Sequence, residues 1–120
     1  IDGAHDYPTV SDDYLAWFPK VIDGGVMAFH DTIGYPGPRR VVRDHLYRSR
    51  RFRRARFAGS LTWGEKVARS SLLERLANEL WWWAHEVYAG AHALARQPRL
   101  RACRSFFGTR QRGAGRSAAR

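Results

Sequence analysis

Two glycines followed at once by four apolar residues, Gly24-Gly25-Val26-Met27-Ala28-Phe29, constrain this chain more than any other stretch. So short a run, without polar alternation, suits a strand covered on both faces, as inside a parallel sheet. It ends in a polar pair, His30-Asp31, and a loop rich in glycine and proline (Gly34, Pro36, Gly37, Pro38). Upstream, Ile1-Asp2-Gly3 reads as the end of another strand. Thr9 or Ser11 caps a short helix through Tyr14, Leu15 and Trp17, closed by Pro19 and the turn residues Asp23-Gly24-Gly25. Downstream, the pattern predicts a helix over Arg39–Arg48 with Val41, Val42, His45 and Leu46 near one face. Two strands follow, Phe52–Phe57 and Leu61–Val67, joined by Ala58-Gly59-Ser60. The expected fold is α/β, the second half of a doubly wound sheet, in which ligands sit beyond the carboxyl ends of the parallel strands. Asp2 with His5, and His30 with Asp31, fall at those ends.

A second segment opens near Ser70. Ser71 with Glu74 three residues on forms a capping box. Leu72, Leu76, Leu80, Trp83, Val87 and Leu94 then recur at helical spacing, and Pro98 marks the end. From Gly108 onward Gly, Arg, Ser and Ala dominate without apolar periodicity, the signature of a disordered tail. The expected division is 1–69 for a partial catalytic domain, 70–98 for an amphipathic Trp-rich helix and 99–120 for a basic tail.

At 120 residues the chain has room for one domain with a modest core. Hydrophobic residues at 44% and charged residues at 27% fit a soluble globule. A single cysteine, Cys103, excludes an intrachain disulfide and paired-cysteine metal sites. No charge-free apolar stretch reaches the roughly 18 residues of a membrane helix, and no signal peptide opens the chain. With an unpaired thiol and no export signal, the cytoplasm is the expected compartment. The chain starts at Ile1, inside apparent structure, which leads to the expectation of a fragment. The net charge of +10 is uneven: up to residue 38 there are six acids and one base, and thereafter bases prevail, nearly all of them Arg. That bias toward Arg weakens the charge as a sign of a nucleic-acid partner.

The block Ile1-Asp2-Gly3-Ala4-His5-Asp6-Tyr7, then Asp13, Trp17 and Pro19, then Gly24-Gly25-Val26-Met27-Ala28-Phe29-His30-Asp31-Thr32, resembles the carboxyl-terminal half of class I S-adenosylmethionine-dependent methyltransferases. The group with sugar and natural-product O-methyltransferases, which carries D-G-x-H-x-Y and G-G-x-x-x-x-H-D blocks, is the nearest in pattern. The resemblance covers residues 1 to 67, including Ser60-Leu61-Thr62-Trp63-Gly64. It implies a Rossmann-like sheet of two parallel strands, Ile1 ending one and Val26 to Phe29 forming the next, followed by an antiparallel hairpin. It implies S-adenosylmethionine as cofactor, with Asp2, Gly3 and Tyr7 near it. The Gly-rich loop and ribose-binding acid of such enzymes are absent from the chain, so the expected state is an inactive fragment, marginally stable on its own.

O-methyl transfer needs an acceptor oxygen aligned with the sulfonium methyl and a group that takes or masks the hydroxyl proton. A divalent cation held by carboxylates lowers the hydroxyl pKa, and a histidine titrating near neutrality accepts the proton. The resemblance implies Asp2 and Asp31 as metal ligands, for Mg²⁺ or Mn²⁺, and His5 as general base. His30 beside Asp31 suits Mn²⁺, Fe²⁺ or Zn²⁺ better than Mg²⁺. The competing reading makes Asp2 and Asp31 loop caps, His5 and His30 hydrogen-bonded loop residues and Tyr7 a packed aromatic.

The expected acceptor is a sugar, glycan or natural-product hydroxyl. Two alternatives stand beside that function. Arg48 to Phe57 interleaves Arg with aromatics, as a nucleic-acid-binding module does, although a solvated edge strand with inward Phe residues explains it more simply. Trp81-Trp82-Trp83 suits a membrane surface, but packing against the domain's own sheet, a partner or a dimer mate fits better, since Glu79 and Glu86 disfavour an anionic membrane.

Overall fold

Val26–Phe29 forms β1, flanked by Gly24, whose φ of +86° only glycine adopts without strain. In the computed structural model, which describes residues 1–96, β1 does not open a parallel sheet. It pairs antiparallel with β3 (Leu61–Lys66), which pairs antiparallel with β2 (Phe52–Ala58), giving the order β1-β3-β2. The described residues thus form an antiparallel sheet and not the expected ladder of two parallel strands. Only Ile1 lies alongside β1 on its other edge: its amino group donates to the Ala28 carbonyl at 2.7 Å, and the His30 N–H donates to the Ile1 carbonyl at 3.0 Å. Those two bonds straddle Phe29 as in a parallel pair, but a single residue makes no ladder. The fold is α/β, with an antiparallel sheet and a C-terminal helix.

Helix α1 (Tyr7–Trp17) precedes β1 and ends in a 3₁₀ turn over Phe18–Lys20. Its N-cap is Asp6, not Thr9 or Ser11. The Asp6 carboxylate accepts from the Thr9 N–H at 3.0 Å and the Thr9 hydroxyl at 2.9 Å. With Pro8 in the first turn the helix starts earlier than the apolar pattern suggests. The bonds from Thr9, its backbone N–H first, hold the Asp6 carboxyl below its usual pKa. Helix α2 (Pro36–Val42) also starts early, at its proline, and continues as a π-helical turn over Arg43–Tyr47. Val41, Val42, Leu46 and Tyr47 are buried there and join Val10, Tyr14, Met27, Phe29, Phe52 and Trp82 in the core.

The hairpin of β2 and β3 has the expected bounds within a residue, but β2 is bulged between Arg53 and Arg56, with Arg54 at φ +51°. Asn78 of helix α3 (Leu72–Ala95) takes two backbone groups of β2, one inside the bulge and one on the strand's outer edge. Its Oδ1 accepts from the Ala55 N–H at 3.0 Å and its Nδ2 donates to the Phe52 carbonyl at 3.1 Å. The capping box forms as expected: the Ser71 N–H donates to Glu74 at 2.7 Å and the Glu74 N–H to Ser71 Oγ at 3.3 Å.

Helix α3 meets the sheet through Asn78, Trp82, His85 and Ala89, while the apolar stripe Leu72, Leu76, Leu80, Trp83 and Val87 faces away from it. The Arg-rich β2 lies at the sheet edge with Phe52 buried. Arg53 and Arg54 pair with Glu65, Arg48 approaches Glu79 at 3.6 Å, and Arg56 lies 4.5 Å over the Trp81 ring. Residues 1–89 form one compact unit, and the described residues from Gly90 on fall outside it. The expected 99–120 tail lies outside the described residues. No helix among the described residues is long and apolar enough to cross a membrane.

Candidate functional site

The carboxyl end of β1 turns sharply because Asp31 adopts φ +59°, a left-handed conformation that Asp tolerates better than most residues. The strand thereby ends with two consecutive side chains, His30 and Asp31, in one cluster. The antiparallel register sets Phe29 opposite Thr62, so the hairpin turn reaches the same place. The Thr32 N–H donates to the Ser60 carbonyl at 3.0 Å, and the Thr32 hydroxyl lies 2.7 Å from that of Thr62. Behind it, His85 Nε2 approaches the Thr32 hydroxyl at 3.3 Å. A buried polar chain thus fixes the residue next to Asp31 from the side of α3.

The segment carrying Asp2 and His5 is held from the other direction. Gly37, in the first turn of α2, comes so close to it that a β-carbon there would sit 2.2 Å from the His5 carbonyl oxygen. Glycine is required at this contact because the neighbours are backbone. The His5 ring stacks on Tyr35, 3.9 Å between centroids. Its Nε2 then reaches Asp31 Oδ2 at 2.9 Å.

Asp31 is the hub. Its Oδ2 holds His5 and its Oδ1 lies 3.2 Å from His30 Nδ1, which is also 3.5 Å from Asp2 Oδ1. His30 Nε2 lies 3.2 Å from Ser60 Oγ. The hydrogen bond from His5, followed by that from His30, holds the Asp31 carboxyl below the ordinary aspartate range against the opposing effect of desolvation. An ionised Asp31 has no proton to donate, so the proton in each short contact belongs to the imidazole. His5 then carries its hydrogen on Nε2, and in the neutral ring Nδ1 keeps its lone pair.

The sequence-derived residues fall into two sets. Asp2, His5, His30 and Asp31 come together. The donor atoms of Asp2, His30 and Asp31 lie within 4.8 Å of one another, close enough to share one cation. Gly3 and Tyr7 do not join that cluster through any contact: the Gly3 backbone faces Asp13, and the Tyr7 ring lies under the Arg40 guanidinium at 4.6 Å. Sequence reasoning missed Tyr35, Gly37 and Ser60. Gly37 had a signal in the Pro-Gly-Pro run, whereas Ser60 is brought in only by the strand register. His45, expected near one face of its helix, stacks on Tyr14 at 4.6 Å, and its Nε2 lies 3.4 Å from Ser11 Oγ.

Residues 1–32, which hold all four clustered side chains, match the family of methyltransferase domains. The match supports a methyltransferase-like domain in this part of the chain. No curated protein and no solved structure matches the chain.

Proposed function

We propose that the cluster serves S-adenosylmethionine-dependent O-methylation of a sugar, glycan or natural-product hydroxyl, with His5 as general base and Asp31 as the group that orients it. One observation carries the reading: a single carboxylate holds two imidazoles, one on each oxygen. A base fixed by a carboxylate is the arrangement that proton abstraction in group transfer requires. Asp31 holds the His5 Nε2–H, the Tyr35 ring limits rotation, and Nδ1 is left to accept the hydroxyl proton as the oxygen attacks the methyl group. The family match to residues 1–32 supports the same class of reaction.

The resemblance also implies the cofactor and a divalent metal, and the donor set fits both. Asp2, its side chain 73% exposed, and Asp31 present carboxylates at the strand's end, where a sulfonium cation is favoured. Two carboxylates and an imidazole with converging donor atoms suit Mn²⁺, Fe²⁺ or Zn²⁺ better than Mg²⁺. A bound divalent cation would lower the acceptor hydroxyl pKa. His30 Nδ1 lies between Asp2 and Asp31 where such an ion would sit, so as a ligand the neutral ring would carry its hydrogen on Nε2, toward Ser60 Oγ.

The test is transfer of a labelled methyl group from S-adenosylmethionine to a panel of sugar and natural-product hydroxyls. His5→Ala is expected to lower turnover by about 100-fold or more with cofactor affinity kept, and Asp31→Asn to lower turnover as far and cofactor affinity with it. Asp2→Asn is expected to weaken Mn²⁺ binding, read by electron paramagnetic resonance. Unchanged turnover in His5→Ala would overturn the assignment of the base.

A further inference from the structure

We propose that the outer face of α3 is the interface of a homodimer, in which two copies of the helix pack antiparallel with Leu80 near the two-fold axis. Within the first unit, the outward side chains of α3 are Leu72, Leu73, Leu76, Leu80, Trp83 and Val87, each at least 54% exposed, together with exposed Ala77, Ala84 and Tyr88. No charged residue interrupts them. The helix's acids are turned back to the domain instead. Glu86 binds Arg39 through two bonds of 2.5 and 2.7 Å, Glu74 lies 3.8 Å from Arg53, and Glu79 lies 3.6 Å from Arg48. A helix that spends its charges on its own domain and shows water an uninterrupted apolar face has its partner still to come.

The spacing and the area identify that partner. Leu73, Leu76, Leu80, Trp83 and Val87 step by three and four residues in turn, the heptad pattern with which one helix packs on another. The six large side chains expose roughly 800 Å² of apolar surface, beyond the largest patch of a typical monomer and close to one partner's share of a standard interface. The face is also complementary to itself. In an antiparallel pair centred on Leu80, Trp83 lies opposite Ala77 of the other copy and Leu76 opposite Ala84, large against small, with Leu73 opposite Val87 at the ends. A parallel pair would force two indoles into one layer. A membrane surface fits less well, because three glutamates share the helix with Arg75 and disfavour an anionic surface.

The experiment uses the whole chain. Sedimentation equilibrium at tens of micromolar is expected to give a dimer, and Leu76→Glu with Leu80→Glu a monomer. Those side chains point to solvent in the single chain, so far-ultraviolet circular dichroism should not change. With Cys103 replaced by serine, a spin label at position 80 should lie within about 15 Å of its mate. A label at position 73, displaced by seven residues on each copy, should lie about 20 Å or more from its own mate. A monomeric wild-type chain, an assembly that survives the double substitution, short distances at both labels, or pelleting with phosphatidylcholine–phosphatidylglycerol vesicles in place of dimerisation would each overturn the proposal.

Discussion

His85 is the residue whose burial has the clearest consequence in solution. Its side chain is fully buried between α3 and the sheet, Nε2 faces the Thr32 hydroxyl, and burial pushes its pKa down to about 4 from 6.5. Glu86 opposes that shift and Arg39 adds to it. Between those two values the unfolded chain binds a proton that the folded chain refuses, so stability declines as pH falls through this window. The loss due to His85 is about 2 kcal/mol between pH 7 and pH 4.5. Asp31 and Glu74, whose pKa values are lowered in the fold, also lose stabilising contacts on acidification. Comparison with His85→Gln isolates the histidine: urea unfolding should show a shallower decline in the variant by about 2 kcal/mol. Parallel declines would exclude a buried neutral His85. Nothing in the sequence marked this histidine, because burial on a helix face depends on which face the sheet accepts.

At the scale of elements, the bulge in β2 and the asparagine in α3 are one device. The Ala55 N–H, inside the bulge, and the Phe52 carbonyl, on the outer edge of β2, both belong to buried residues, and Asn78 satisfies both. Asn78→Ala leaves a donor and an acceptor unpaired in the interior, which costs about 3 kcal/mol. A loss in urea unfolding below about 1 kcal/mol would mean that the bulge finds other partners. The sequence made β1, the hairpin and the capping box of α3 legible, since each depends on residues within a few positions of one another. Gly24-Gly25 before Val26, Ser60 between two strands, and Ser71 with Glu74 are local signals of this kind. Strand pairing is not local. Val26–Phe29 reads equally well as a parallel or an antiparallel strand, because an uninterrupted apolar run says only that both faces are covered. The start of α1 was obscured because Thr9 is a good capping residue, whereas Asp6, followed by Pro8, caps more favourably.

For the whole molecule, the distribution of charge follows the architecture. The acidic first third supplies the cluster at the end of β1, and the basic remainder is partly consumed by pairs to Glu65, Glu74, Glu79 and Glu86. Of the candidate site, Asp2, His5, His30 and Asp31 were legible from two short blocks of sequence, and they meet in space although up to 29 positions separate them. Tyr35 and Ser60 were not, because only the assembled fold brings them near, and the Pro-Gly-Pro run marked Gly37 without showing its contact with the His5 backbone. The proposed chemistry turns on Asp31 fixing the His5 ring so that Nδ1 can take a proton. Long-range nitrogen-15 correlation spectra of the folded chain near neutral pH report this directly. The expected spectrum has His5 protonated on Nε2 and unprotonated on Nδ1, with that preference lost in Asp31→Asn. A His5 ring protonated on Nδ1 alone, or one whose tautomer ignores the Asp31→Asn substitution, would contradict it.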